Sequence, residues 1–119
     1  MTARDCLAEA HAAGPAYQRA INAFVDAFRR ADRPGREALI ADSIAASGAL
    51  EGLVAGVVSA LCREAGLAPP AWVGHTSSAE PFFALPATSF EMRLRLMIES
   101  PPAFRIRRVF VPENYLSRA

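Results

Sequence analysis

The chain has no lysine: all thirteen of its basic residues are arginine. A GC-rich coding bias accounts for this better than a need for bidentate guanidinium contacts at every site. Cysteine and histidine are scarce, with Cys6, Cys62, His11 and His75 the full complement. None stands in a C-x-x-C or H-x-x-x-H arrangement, so no metal-ligand set is expected. Two cysteines do not make a disulfide framework, and Cys62, in an apolar helical run, reads as a small hydrophobe. A reducing cytoplasm fits that usage. Long apolar runs are missing too: the longest, about Gly52 to Cys62, is well short of the ~20 residues that span a bilayer. Met1-Thr2-Ala3-Arg4-Asp5 has no apolar stretch of the kind a secretory leader needs. A soluble cytoplasmic protein is therefore expected, with no membrane partner.

Catalytic signatures are equally thin. No G-x-S-x-G elbow, P-loop or G-x-G-x-x-G pattern occurs. Cys6 and His11 lie five positions apart, on different helix faces, and His75 reads as an exposed loop residue. Acidic pairs such as Asp26/Asp32 and Glu37/Asp42 read as solvated helix surface. No enzyme activity and no cofactor are expected. The net charge of +1 also excludes a strong global attraction to nucleic acid or anionic membrane.

What is present is a helical pattern across 119 residues, the length of one domain. The fold class expected is mainly α, a small bundle of about five helices. Thr2 to Ala13 is alanine-rich and stops at Gly14-Pro15. Pro15 to Ala31 is amphipathic, with Tyr17, Ala20, Ile21, Phe24, Val25 and Phe28 recurring at threes and fours. Asp32-Arg33-Pro34-Gly35 reads as a break, followed by a shorter helix from Arg36 to Ala46. Ala49 to Ala65 is apolar nearly all round, the mark of a buried central helix. Its Gly52 and Gly56 each cost about 1 kcal/mol of helix stability relative to alanine, which is tolerable where another backbone packs close.

Residues 67–87 read as a long irregular insert pinned by Trp72, Phe82 and Phe83. Thr88-Ser89-Phe90-Glu91 has the form of a capping box with Thr88 as cap. It opens a helix to about Ser100 with Phe90, Leu94, Met97 and Ile98 on one side. Pro101-Pro102 ends that helix, and residues 101–119 form a basic and apolar C-terminal segment. Phe104 to Val111 alternates loosely, as a short edge strand or extended arm does.

Charge is unevenly spread. Residues 1–88 carry seven arginines and nine acids, a balance of −2; residues 89–119 carry six arginines and three acids, a balance of +3. Arg93, Arg95, Arg105, Arg107 and Arg108 are the candidate partner-binding cations, with Trp72, Phe82 and Phe83 as apolar anchors, since arginine and aromatics dominate interfaces. If Phe104–Val111 is extended, Arg105 and Arg107 share one face and Arg108 falls on the apolar side. There it would need a carboxylate such as Glu91 or Glu99, or a way out to water. The aromatics have core packing as their alternative role.

The segments Ala23-Phe24-Val25-Asp26-Ala27-Phe28, Gly66-Leu67-Ala68-Pro69-Pro70-Ala71-Trp72-Val73, Pro81-Phe82-Phe83 and Ser100-Pro101-Pro102-Ala103-Phe104-Arg105, with the closing Leu116-Ser117-Arg118-Ala119, form a recognisable order. Across residues 22–119 the chain resembles the C-terminal domain of actinobacterial helix-turn-helix proteins. Those are regarded as candidate antitoxins of nucleotidyltransferase-type toxins. Residues 1–21 are too few for a helix-turn-helix, so DNA binding does not carry over, and Phe82 stands where that family tends to have tryptophan. The resemblance implies a non-catalytic bacterial antitoxin-like protein that binds a toxin enzyme. Two other functions stay open: a nucleic-acid-binding accessory protein using the arginine face, and a homo-oligomeric structural protein with Gly52 and Gly56 at a close helix contact.

Overall fold

Thr2 opens the first helix, α1 (Ala3–Ala13), with a reciprocal capping box. Its hydroxyl accepts from the Asp5 N–H at 3.1 Å, and the Asp5 carboxylate accepts from the Thr2 N–H at 3.1 Å. That backbone bond from Thr2 holds the Asp5 carboxyl below its ordinary range. These coordinates are a computed structural model, which describes residues 1–44, 46–84 and 89–117. Ala3, Cys6 and Ala10, one turn apart, form the buried side of α1. Small side chains there let the second helix approach closely.

A single 3-10 turn at Gly14–Ala16 leads into α2 (Gln18–Arg30), which buries Ala20, Ile21, Phe24, Val25 and Phe28 as its periodicity requires. Arg36 closes α2 from outside. Its guanidinium donates to the carbonyls of Phe28 and Arg29, both at 2.9 Å, and lies 5.3 Å over the Phe28 ring. The terminal carbonyls of a helix lack internal partners, and a cation is favoured there.

The next helix departs from expectation. It is α3 (Arg33–Leu39), three residues earlier at its start than Arg36 and ending well before Ala46. Asp32 is not a breaker but the cap, accepting from the Gly35 N–H at 2.9 Å, and Pro34 falls in the first turn, where no donor is needed. The helix stops because Ile40 turns into the core and the Trp72 indole N–H takes its carbonyl at 2.9 Å.

Helix α4 (Ala49–Ala65) runs as predicted and is buried continuously from Gly52 to Val58. Gly66, left-handed at φ 71°, caps it. A Cβ at Gly52 would lie 2.7 Å from the Ser78 backbone nitrogen, and one at Gly56 would lie 2.6 Å from the Phe104 ring. The close approach that explains both glycines is therefore within the chain, and it is not available to a second copy.

The insert after α4 is irregular but anchored. Residues Ala71–His75 make a 3-10 turn, Ser47 bridges Ser77, and Phe82–Phe83 forms a two-residue strand, β1. It pairs in parallel with β2 (Val109–Phe110), Phe82 opposite Val109 and Phe83 opposite Phe110. Helix α5 (Phe90–Glu99) starts one residue later than the capping-box reading, at Ser89, whose hydroxyl accepts from the Met92 N–H. Thr88, like Leu85, Pro86 and Ala87 of the insert and Arg118 and Ala119, lies outside the described residues.

The segment expected to be extended from Phe104 begins instead as a helical turn, α6 (Pro102–Arg105). Both prolines favour this: Pro102 is tolerated in the first turn, and the Pro101 carbonyl accepts from the N–H groups of Phe104 and Arg105. Only Val109 and Phe110 are strand. One apolar core reaches from Ala3 to Val111, while Leu96, Phe110 and Phe83 make a small separate cluster. The architecture is mainly helical, a small bundle with little strand.

Candidate interaction surface

Helix α5 buries one side chain, Leu96, which packs with Phe110 and Phe83. It also meets the body through Arg93, over the Phe83 ring, and through Ser100 at its C-terminal end. The Ser100 hydroxyl accepts from the Val111 N–H at 2.7 Å and lies within hydrogen-bond reach of the Leu96 and Val111 carbonyls, one of which takes its single proton. Phe90 is 78% exposed, Ile98 67%, Met92 48%, Leu94 45% and Met97 43%. Phe90, Leu94, Met97 and Ile98 follow one helical stripe and leave a row of apolar side chains exposed.

Two grooves run along this stripe. One, of about 460 Å³, is walled by Pro81 and Phe83 on one side and by Phe90, Arg93, Leu94 and Met97 on the other. The second, of about 340 Å³, is lined by Glu91, Leu94, Arg95, Ile98 and Glu99. Leu94 borders both and is the ridge of the surface.

The five arginines singled out in the sequence do not form one cluster of equals. Arg107 is buried, at 7% exposure, and donates to the Val73 carbonyl through Nε and Nη2 and to the Ala103 carbonyl through Nη1 at 2.6 Å. Burial lowers its pKa. It clamps the insert to α6 and has carbonyl rather than carboxylate partners. Arg108, expected on the apolar side, is exposed and donates to the Ala79 carbonyl at 2.9 Å. The exchange has a backbone cause: the α6 turn rotates Arg107 inward, and Arg108 then adopts φ 59°, which swings its side chain out. Arg105 is exposed, and its guanidinium has no partner among the described residues. Arg95 approaches Glu99 at 3.8 Å on the α5 surface, and Arg93 lies 5.8 Å over the Phe83 ring.

The aromatics divide similarly. Trp72 and Phe82 pack against the core, Trp72 tied to Ile40 and Phe82 6.0 Å from the Tyr17 ring. Phe83 is half-buried, stacked 5.2 Å from Phe110, and alone of the three forms a groove wall at α5. The stripe residues Phe90, Leu94, Met97 and Ile98 were legible as one side of a helix but not as the outward side. Leu96, off that stripe, is the one buried residue of the helix, and a single leucine gives the sequence no row by which to tell the inward side from the outward one.

Away from α5, His11 and Glu51 join α1 to α4 at 2.8 Å, and Arg29 holds Glu64 with two bonds between α2 and α4. Among the described residues no three His, Cys, Asp or Glu side chains converge as a metal set would, and no helix is long and apolar enough to cross a membrane. Set beside known protein families, characterised proteins and solved structures, the chain matches none of them.

Proposed function

We propose that this protein is a non-catalytic, antitoxin-like binding module that captures a protein partner, a nucleotidyltransferase-type toxin being the class its sequence resemblance suggests. The observation that supports the reading is the apolar stripe of α5, left exposed although the chain has a well-filled core to receive it. Exposed leucine, isoleucine and phenylalanine in one row lose roughly 1.5–3 kcal/mol each relative to burial. A partner surface recovers that energy. The flanking guanidiniums of Arg93 and Arg95 add orientation, and the exposed Arg105 and Arg108 extend the basic character of this end. The docking residues are then Phe90, Leu94, Met97 and Ile98 with Phe83, Arg93 and Arg95. Arg107, Trp72 and Phe82 serve the fold.

Affinity capture with the tagged chain from its native host, followed by mass spectrometry, tests this. A stoichiometric protein is expected with the wild-type chain and is lost with Leu94→Glu, while the thermal midpoint stays within a few degrees. Co-purifying nucleic acid in place of protein, with binding that falls steeply as salt rises, would transfer the function to Arg105 and Arg108 as phosphate contacts.

A further inference from the structure

We infer that Met97 is a reversible oxidation site, and that its sulfoxide turns off docking on the exposed stripe of α5. The inference rests on the partner-binding reading above and adds a means of regulating that same face. The chain has two cysteines and three methionines, and the fold sorts them. Cys6 and Cys62 are buried with no exposed surface. Burial also raises both thiols, Cys6 to about 12, so little of the thiolate that peroxides attack exists near neutrality. Met1 is partly buried and packs against the core. Met92 and Met97 are 48% and 43% exposed, and both lie on α5. The accessible sulfur is therefore gathered on the helix that leaves an apolar row outside.

The two α5 sites differ in their surroundings. Met97 belongs to the stripe and lines the groove that Pro81, Phe83, Phe90 and Leu94 also form. Met92 lies off the stripe, beside Ser89, Glu91 and Arg95. Hydrogen peroxide oxidises either thioether in the same way. A sulfur lone pair attacks a peroxide oxygen, the S–O bond forms as the O–O bond breaks, and the displaced hydroxide takes a proton and leaves as water. Sulfur loses two electrons and the peroxide gains them. A flexible apolar side chain becomes a polar, chiral one.

The consequence depends on position. At Met92 the added oxygen has polar neighbours and stays in water. At Met97 it stands in the row that a partner must dry, and a polar group desolvated without a hydrogen bond weakens binding. Neither methionine belongs to a core cluster, so oxidation leaves the fold standing. Thiol-dependent sulfoxide reductases reverse the step, each acting on one epimer.

The test treats the full chain with dilute hydrogen peroxide at neutral pH and maps its peptides by mass spectrometry. Met97 and Met92 are expected to gain one oxygen each before Met1 does and before either cysteine changes. The oxidised chain is then used in affinity capture from the native host, with circular dichroism confirming its helices. Capture should fall about tenfold and return after treatment with both sulfoxide reductases and dithiothreitol. Met97→Leu, which conserves size and apolarity, should capture the same protein and keep it after peroxide, whereas Met92→Leu should lose it as the wild type does. Oxidation of Met1 or a cysteine ahead of Met97 overturns the inference. So does capture that survives oxidation of Met97, fails to return on reduction, or is lost equally from the peroxide-treated Met97→Leu chain. Capture that survives oxidation removes this inference and leaves the partner-binding reading standing. An untreated chain that captures no protein removes both.

Discussion

Arg107 shows how far one side chain's role is set by the backbone around it. Three of its donors serve two carbonyls, the Val73 pair of bonds being buried and the Ala103 bond partly so. Hydrogen bonds from a charged group contribute about 1.5–3 kcal/mol each, and the Val73 acceptor left behind is buried. Arg107→Ala is therefore expected to lower stability by on the order of 3 kcal/mol in urea unfolding. Arg105→Glu, two positions away on the exposed side of α6, is expected to stay within about 0.5 kcal/mol. In the sequence the two arginines look alike; what separates them is a helical turn at Pro102–Arg105 that alternation concealed. Cys6 offers a second measurement at this scale. Burial pushes its thiol up to about 12 from an ordinary value of 9.0, so the native state holds the proton more tightly than the unfolded chain. The associated stability is complete below about pH 9 and is lost as pH rises toward 12, with a slope of at most about 1.4 kcal/mol per unit. Burial raises Tyr17 and Tyr115 as well, which steepens the same alkaline loss. Unfolding free energies measured at pH 8, 9 and 10 should fall slightly over the first interval and more steeply over the second; a rise over either contradicts the assignment.

Among the elements, α4 was legible almost to the residue and α3 and α6 were not, for the same physical reason. Helix α4 declares itself by burial all round and by Gly66 at its end, signals that need no tertiary partner. Helices α3 and α6 begin at Asp32-Arg33-Pro34 and Pro101-Pro102, where proline reads as a stop unless one knows that the donor it lacks was not needed. Helix α5 lay between these cases: its boundaries and its apolar row were readable, but its orientation depends on Leu96 and Ser100 meeting Phe110 and Val111, which local sequence does not encode. The glycines of α4 test the packing directly. Alanine at Gly56 gains about 1 kcal/mol of helix propensity, but its Cβ meets the Phe104 ring at 2.6 Å. Overpacking a filled core costs about 1–3 kcal/mol. The clash is expected to win, giving a net loss on the order of 1 kcal/mol, and Phe104→Leu in the Gly56→Ala background should cost less than Phe104→Leu alone. Additivity in that double-mutant cycle would mean that the ring and the glycine do not meet.

For the molecule as a whole, the consequential division is between the core that runs from Ala3 to Val111 and the small cluster on which α5 rests. Cooperative units of a protein open at free energies set by their buried contacts. Helix α4, surrounded by α1, α2, α6 and β2, should exchange its amides only when the whole chain unfolds. Helix α5, fastened by Leu96, the Arg93–Phe83 stack and the Ser100 bonds, should open on its own at lower cost, because Leu96 is its one buried side chain. Native-state hydrogen exchange is expected to show α5 amides with protection well below that of α4. Leu96→Ala should reduce α5 protection further while leaving α4 nearly unchanged. If instead the two helices exchange together and Leu96→Ala lowers both equally, α5 is part of the single folding unit. A bound partner would then recover no loosely held helix, and the energetic motive for docking on its exposed stripe would be weaker. Under the separate-unit outcome, partner binding should raise α5 protection selectively, since a ligand stabilises most the element that otherwise opens first.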